Sequence, residues 1–124
     1  MVTDSLLSFK HAFVTGGTGI VGVPLCRRLV EMGVRVTVYS RTTGEPVVPD
    51  GVRHVQGDVL DRPSVVAAAR SADVIFHAAA AVHGSASTCS EFERMNVIGT
   101  ENVIHAVREL GARLAREKRG DESL

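Results

Sequence analysis

Val14-Thr15-Gly16-Gly17-Thr18-Gly19-Ile20-Val21-Gly22 joins an apolar, β-branched run to an amphipathic helical pattern through a turn crowded with glycine. Gly17, Gly19 and Gly22 fit the spacing G-x-G-x-x-G, in which one glycine makes the tight turn, one lets backbone approach a pyrophosphate, and one lets helix pack on strand. The first amides of a helix have no intrahelical partners, and the helix dipole favours negative charge beside them, so a turn of this kind captures anions. A side chain at Gly17 or Gly19 is expected to stand between backbone and phosphate. The rival cradle, a P-loop, does not fit: Gly22 lies at the right interval from Gly17 but is followed by Val23 and Pro24, where Lys and Ser/Thr are required. The stretch therefore predicts a dinucleotide site.

Strand and helix patterns alternate outward from this turn. His11–Thr15 reads as a first strand, Gly19–Met32 as a helix, and Val34–Tyr39 as a second strand. Leu25, Cys26, Leu29 and Met32 form the helix's inward face, Arg27, Arg28 and Glu31 its wet face, and Gly33 its stop. After a turn-rich segment, Val52–Gln56 reads as strand three. Asp61 then caps a helix with Pro63 in its first turn, and Asp73–His77 is strand four. Glu91–Leu110 reads as one long helix with Phe92, Met95, Gly99, Val103, Val107 and Leu110 on its core stripe. The alternation predicts an α/β, Rossmann-like, doubly wound parallel sheet that stops after about four strands, in the order 3-2-1-4. The expected division is an incomplete dinucleotide-binding domain over residues 1–112 and a polar tail over 113–124. Strand four is left as an edge, which a second copy or a partner chain is expected to cover.

Composition narrows the function classes. Fourteen basic and fourteen acidic side chains among 124 residues give no net charge, and 44% hydrophobic residues suffice for a core. No basic stripe is interleaved with aromatics, so nucleic acid is not an expected partner. No apolar run approaches the roughly 20 residues of a membrane span, and a cytoplasmic location is expected. Cys26 and Cys89 have neither disulfide-framework nor metal-ligand spacing.

Four segments together resemble the extended short-chain dehydrogenase/reductase superfamily, in its NAD-dependent epimerase/dehydratase group. They are the turn at Thr15–Gly22, Gly57-Asp58-Val59-Leu60-Asp61, His77-Ala78-Ala79-Ala80, and Asn96-Val97-Ile98-Gly99-Thr100-Glu101-Asn102. The likeness covers residues 12–112 and is greatest to the dihydroflavonol reductase-like and 3β-hydroxysteroid dehydrogenase-like branch. It implies that backbone from Gly16 through Gly17, Thr18, Gly19, Ile20, Val21 and Gly22 holds pyrophosphate, and that Asp58 and Val59 face adenine. It further implies that His77, Ala78, Ala79 and Ala80 run beneath ribose and nicotinamide, with Asn96 near the reaction centre. Without the resemblance, Asp58 reads as a turn residue, His77 as a core or strand-end histidine, and Asn96 as a packing asparagine.

At the end of strand two an acidic residue would hold the ribose hydroxyls of NAD. This chain has Tyr39-Ser40-Arg41-Thr42-Thr43, and its first acid beyond is Glu45. Arg41 beside Ser40 offers a planar fork of donors to a 2′-phosphate, so NADP(H) is favoured over NAD(H); the plain alternative is a solvated loop cation. Enzymes of this superfamily transfer a proton through a Tyr-x-x-x-Lys pair. Here Tyr39 is followed at that spacing by Thr43, and the lysines are Lys10 and Lys118. No catalytic residue is assigned. Three readings stand: the cofactor-binding portion of an oxidoreductase or epimerase, a non-catalytic NADP(H)-binding sensor or regulatory module, or an interaction module.

Overall fold

A computed structural model describes residues 8–41, 48–79 and 89–118. Ala80, one of the expected cofactor contacts, lies outside them. Four parallel strands, β1 (His11–Thr15), β2 (Arg35–Ser40), β3 (Val52–Gln56) and β4 (Val74–His77), lie in the order β3-β2-β1-β4. The register pairs Phe13 with Thr37 and Ile75, and Thr15 with Tyr39 and His77. Thus β1 is the central strand and all five of its residues are buried.

Side chains alternate across a strand, so β1 and β2 send residues of opposite parity to opposite faces. Ala12, Val14, Val36 and Val38 meet Cys26 and Leu29 of α1 (Gly22–Glu31) in one apolar cluster. Phe13 and Tyr39 meet Val65 and Ala69 of α2 (Arg62–Ala69), and Val103 and Ala106 of α4 (Gly99–Lys118), in the other. Full burial of each large apolar side chain contributes about 1.5–3 kcal/mol. These two layers fix helices on both sides of the sheet.

Local chemistry places the helix ends. Asp61 Oδ1 accepts from the Ser64 amide at 3.3 Å, capping α2, with proline in the first turn. At the end of α1, Gly33 takes φ 82° and the Val34 amide donates to the Leu29 carbonyl at 3.0 Å, closing the helix as a left-handed C-terminal cap does. The helix itself begins at Gly22, three residues later than the sequence pattern, because the glycine-rich segment is spent on a non-helical turn.

The long helix departs from expectation in three ways. It is divided into α3 (Cys89–Glu93), a π-helical turn (Arg94–Ile98) and α4. It also continues past Leu110 to Lys118. Residues 111–118 lack β-branched side chains, which excludes a strand but suits a helix rich in Ala, Leu and Arg. Arg113 Nη2 fastens that extension by donating to the Ala72 carbonyl at 2.6 Å. Val107, placed on the core stripe from its spacing, is 48% exposed, whereas Asn102 and Ala106 are buried. At 100° per residue the stripe through Gly99, Val103, Ala106 and Leu110 leaves Val107 about 70° from its centre.

Candidate functional site

At the carboxyl ends of the strands, the turn after β1 opens onto a cleft of about 690 Å³. It is lined by Gly16, Thr18, Gly19, Ile20, Val21 and Gly22 from the turn and α1, and by Tyr39, Ser40 and Arg41 from the end of β2. Gly57 and Val59 line it after β3, Ala78 and Ala79 after β4, and Met95 from the π-helical turn. Segments distant in sequence converge here because parallel strands all deliver their C-terminal loops to one edge of the sheet.

The glycines have distinct reasons. Gly16 takes φ 72°, and a Cβ on it would come within 2.6 Å of the Ala79 nitrogen and 2.7 Å of the Ala78 carbonyl carbon. It is the tight-turn glycine, held against the strand-four loop. Gly17 does not line the cleft: its missing side chain faces inward, and a Cβ there would strike the methyls of Val38. The expectation that it keeps space clear for phosphate therefore gives way to close packing on β2. A Cβ on Gly22 would strike the Gly16 carbonyl oxygen and Gly17 Cα, so this residue lets α1 sit on the turn. Gly19 differs from all three. Among the described residues the one atom near a Cβ built on it is Gly16 O, at 3.4 Å, and the residue is exposed at the mouth of the cleft.

Other expected residues lie behind the lining. Asp58 Oδ1 accepts from the Leu60 amide at 2.9 Å, tying its carboxylate into a turn after β3. His77 is half-buried and bonded to Thr15 and Thr100, and burial pushes its imidazole pKa down. Asn96 is exposed in the π-helical turn, where its carbonyl accepts from the Thr100 hydroxyl at 2.6 Å. Ser40 Oγ lies 2.6 Å from His54 Nε2, while Arg41 is exposed at the rim.

Three lining residues escaped the sequence reading. Gly57 lies directly under the Tyr39 ring, which a Cβ would strike. Tyr39 is 1% exposed; its hydroxyl donates to the Asp58 carbonyl at 3.0 Å and lies 2.7 Å from Ser64 Oγ. With that proton committed, Ser64 is the donor in the second contact. Burial pushes the phenol pKa up, so Tyr39 is a neutral structural group. Met95 stands on the helical stripe that the sequence assigned wholly to core. Behind the lining, buried Asn102 donates through Nδ2 to the Val59 carbonyl at 2.7 Å and accepts from Arg62 Nε at 2.9 Å. It holds the loop after β3 against α4. Its place in the Asn96–Asn102 segment was the available signal.

Among the described residues, no group of His, Cys, Asp and Glu could hold a metal ion, and no helix is long and apolar enough to cross a membrane. Burial raises the pKa of the Cys26 thiol, which faces the sheet.

A β1–turn–α1 cradle at the strand C-termini of a 3-2-1-4 sheet is the architecture of dinucleotide-binding α/β proteins. Comparison with known proteins defines the class further. Residues 12–116 match the profile of the NAD dependent epimerase/dehydratase family, and the chain belongs to that family. Over 98 residues it is 39% identical to a 2-alkyl-3-oxoalkanoate reductase of Stenotrophomonas maltophilia, covering 79% of this chain and 29% of that protein. It is 35% identical over 107 residues to a 3 beta-hydroxysteroid dehydrogenase/Delta 5-->4-isomerase of Mycobacterium tuberculosis, covering 82% and 29%. The Bordetella bronchiseptica enzyme WbmG, solved in complex with NAD, superposes with a TM-score of 0.73 at 26% identity, over 89% of this chain and 37% of that one. The chain thus spans 29% of the length of either relative.

Proposed function

We propose that this chain is the dinucleotide-binding portion of an epimerase/dehydratase-type oxidoreductase, and that its cleft takes a nicotinamide dinucleotide with the pyrophosphate over Gly16–Gly22. Gly19 carries the reading. Gly16 is explained by its positive φ and Gly17 and Gly22 by internal crowding, but among the described residues no atom presses on Gly19. A glycine with open space before it at a helix N-terminus fits close approach by a ligand's phosphate. The adenosine would lie toward Ser40, Arg41, Asp58 and Val59, and the far end toward Ala78, Ala79 and Met95. When bound, the dinucleotide supplies hydride transfer; the chain's own residues bind and orient it. The reduction or epimerisation itself is assigned to a longer architecture of the relatives' kind, because neither Tyr39 nor Lys10 or Lys118 belongs to a Tyr-x-x-x-Lys pair.

The same cleft is proposed to prefer NADP(H). Exposed Arg41 follows Ser40 on the rim, and among the described residues that line the cleft there is no acid. A covering partner or second copy is also proposed for the face on which Val97 and Ile98 of the π-helical turn and Ile104 and Val107 of α4 are exposed; sizing chromatography reads it directly. The decisive experiment titrates the chain with NADPH and NADH and follows nicotinamide fluorescence. NADPH should bind roughly tenfold more tightly, and Arg41→Ala should remove most of that difference while sparing NADH. Equal affinities would end the NADP(H) preference, and failure of both cofactors to bind would end the dinucleotide reading.

A further inference from the structure

His77, the last residue of β4, is hydrogen-bonded through both ring nitrogens. Nδ1 lies 2.7 Å from Thr15 Oγ1 and Nε2 lies 3.1 Å from Thr100 Oγ1. The neighbouring bonds determine where its proton sits. The Thr100 hydroxyl donates to the Asn96 carbonyl at 2.6 Å, so toward His77 its oxygen can only accept, and Nε2 must carry the hydrogen. In a neutral ring Nδ1 is then an acceptor, and the Thr15 hydroxyl donates to it. Thr15 Oγ1 in turn accepts from the Ala79 amide at 3.1 Å. A single chain of bonds runs from Ala79 through Thr15, His77 and Thr100 to Asn96 in the π-helical turn.

Its near end lies directly under the phosphate turn. Gly16 rests so closely on Ala78 and Ala79 that their backbone leaves no room for a Cβ, and Ala78 is itself held by its amide to the Thr15 carbonyl at 3.0 Å. A shift of this ledge would displace the turn above it. We propose that His77 is a positioning residue of the dinucleotide site: its neutral ring, protonated on Nε2, holds the Ala78–Ala79 ledge and the π-helical turn in one arrangement, and protonation of the ring loosens the cradle. This rests on the dinucleotide reading above.

An imidazolium has two donors and no acceptor. Thr15 Oγ1, on a residue with no exposed surface, would then face an Nδ1–H, and its own hydroxyl hydrogen would lose its acceptor. Burial favours the neutral ring, which places the change on the acid side of the ordinary imidazole range. Among the described residues, the charged and titratable groups on the surrounding elements lie elsewhere. On β1, His11 sits at the opposite end, bonded to Ser71 and Thr37, and before β4 Asp73 accepts from the Lys10 and His11 amides. On the helical side Glu93, Arg94 and Glu101 are exposed, and His105 lies 4.0 Å from Glu109.

The test has two readouts on the intact chain. Long-range proton–nitrogen NMR of the His77 ring reports its tautomer, and NADPH affinity is measured from about pH 8 down to about pH 5 for the wild type and His77→Gln. The Nε2–H tautomer is expected at neutral pH. Wild-type affinity should be level above neutrality and fall on the acid side, by at most about tenfold per pH unit for a single proton. In His77→Gln, whose amide can accept from Thr15 and donate to Thr100 without titrating, that acid loss, taken relative to the variant's own affinity at neutral pH, should shrink. An Nδ1–H tautomer overturns the proposal, as does an identical acid profile in the two proteins. If the variant does not fold, the tautomer and a wild-type profile without an acid limb still decide. Absence of NADPH binding at every pH removes the dinucleotide reading instead, and this role with it.

Discussion

Toward α1, β1 and β2 present Ala12, Val14, Val36 and Val38 to Cys26 and Leu29; toward α2 and α4 they present Phe13, Thr15, Thr37 and Tyr39. Among the described residues every buried polar side chain, His11, Thr15, Thr37 and Asn102, belongs to the second side. All are bonded: His11 to Thr37 and Ser71, Thr15 to His77 and Ala79, Asn102 to Val59 and Arg62. The first side is held by contact area, which is non-directional, and it serves to seat α1 on the sheet. The second uses bonds that tolerate one geometry. Those bonds reach the cleft directly, because Thr15 supports the ledge beneath Gly16, and Asn102 supports Val59. Positional accuracy at the site therefore comes from the polar side.

Two substitutions test that division, in order of expected cost. Leu29→Ala empties space in the apolar layer and should lower unfolding stability by about 2–5 kcal/mol in urea melts. Its effect on nucleotide affinity should be small once folded, since Leu29 packs in the α1-side cluster and is not among the residues that line the cleft. Asn102→Ala leaves the Val59 carbonyl without its donor and Arg62 without its acceptor, and should cost about 1–3 kcal/mol. Here affinity should fall along with stability, because Val59 lines the cleft. Were Asn102→Ala to melt like the wild type and bind equally well, the contrast between the two sides would not hold.

The same contrast explains what could be read from sequence. The apolar side is periodic over short spans, so β1, the inward face of α1 and the cap at Gly33 were legible from spacing and residue type, as was the Asp61 cap of α2 from its local sequence. Strand order followed from alternation and handedness. The polar side joins residues far apart: Thr15 and His77 are 62 positions apart, and Asn102 and Val59 are 43 apart. Spacing carries no signal for such pairs. The inward role of Gly17 depends on Val38, a residue of the next strand, and no helical period encodes the π-helical turn. Met95 was legible as apolar and helical, but not as facing the cleft, because the turn beneath it breaks the period.

The smallest expected effect on stability is the sharpest on function. Gly19 has φ outside the left-handed region, and among the described residues a Cβ there would meet just Gly16 O, at van der Waals distance. Gly19→Val should therefore change stability by no more than about 0.5 kcal/mol, as exposed substitutions usually do. A branched side chain at that point nevertheless occupies the approach to the amides of the turn. Binding of NADPH and NADH should be lost while the melt is kept. The neighbouring Gly22 gives the internal contrast, since its Cβ would overlap the Gly16 carbonyl whether or not a ligand is present. If Gly19→Val bound nucleotide like the wild type, the open space before Gly19 would be mere exposure, and the phosphate would have to be sought elsewhere in the cleft.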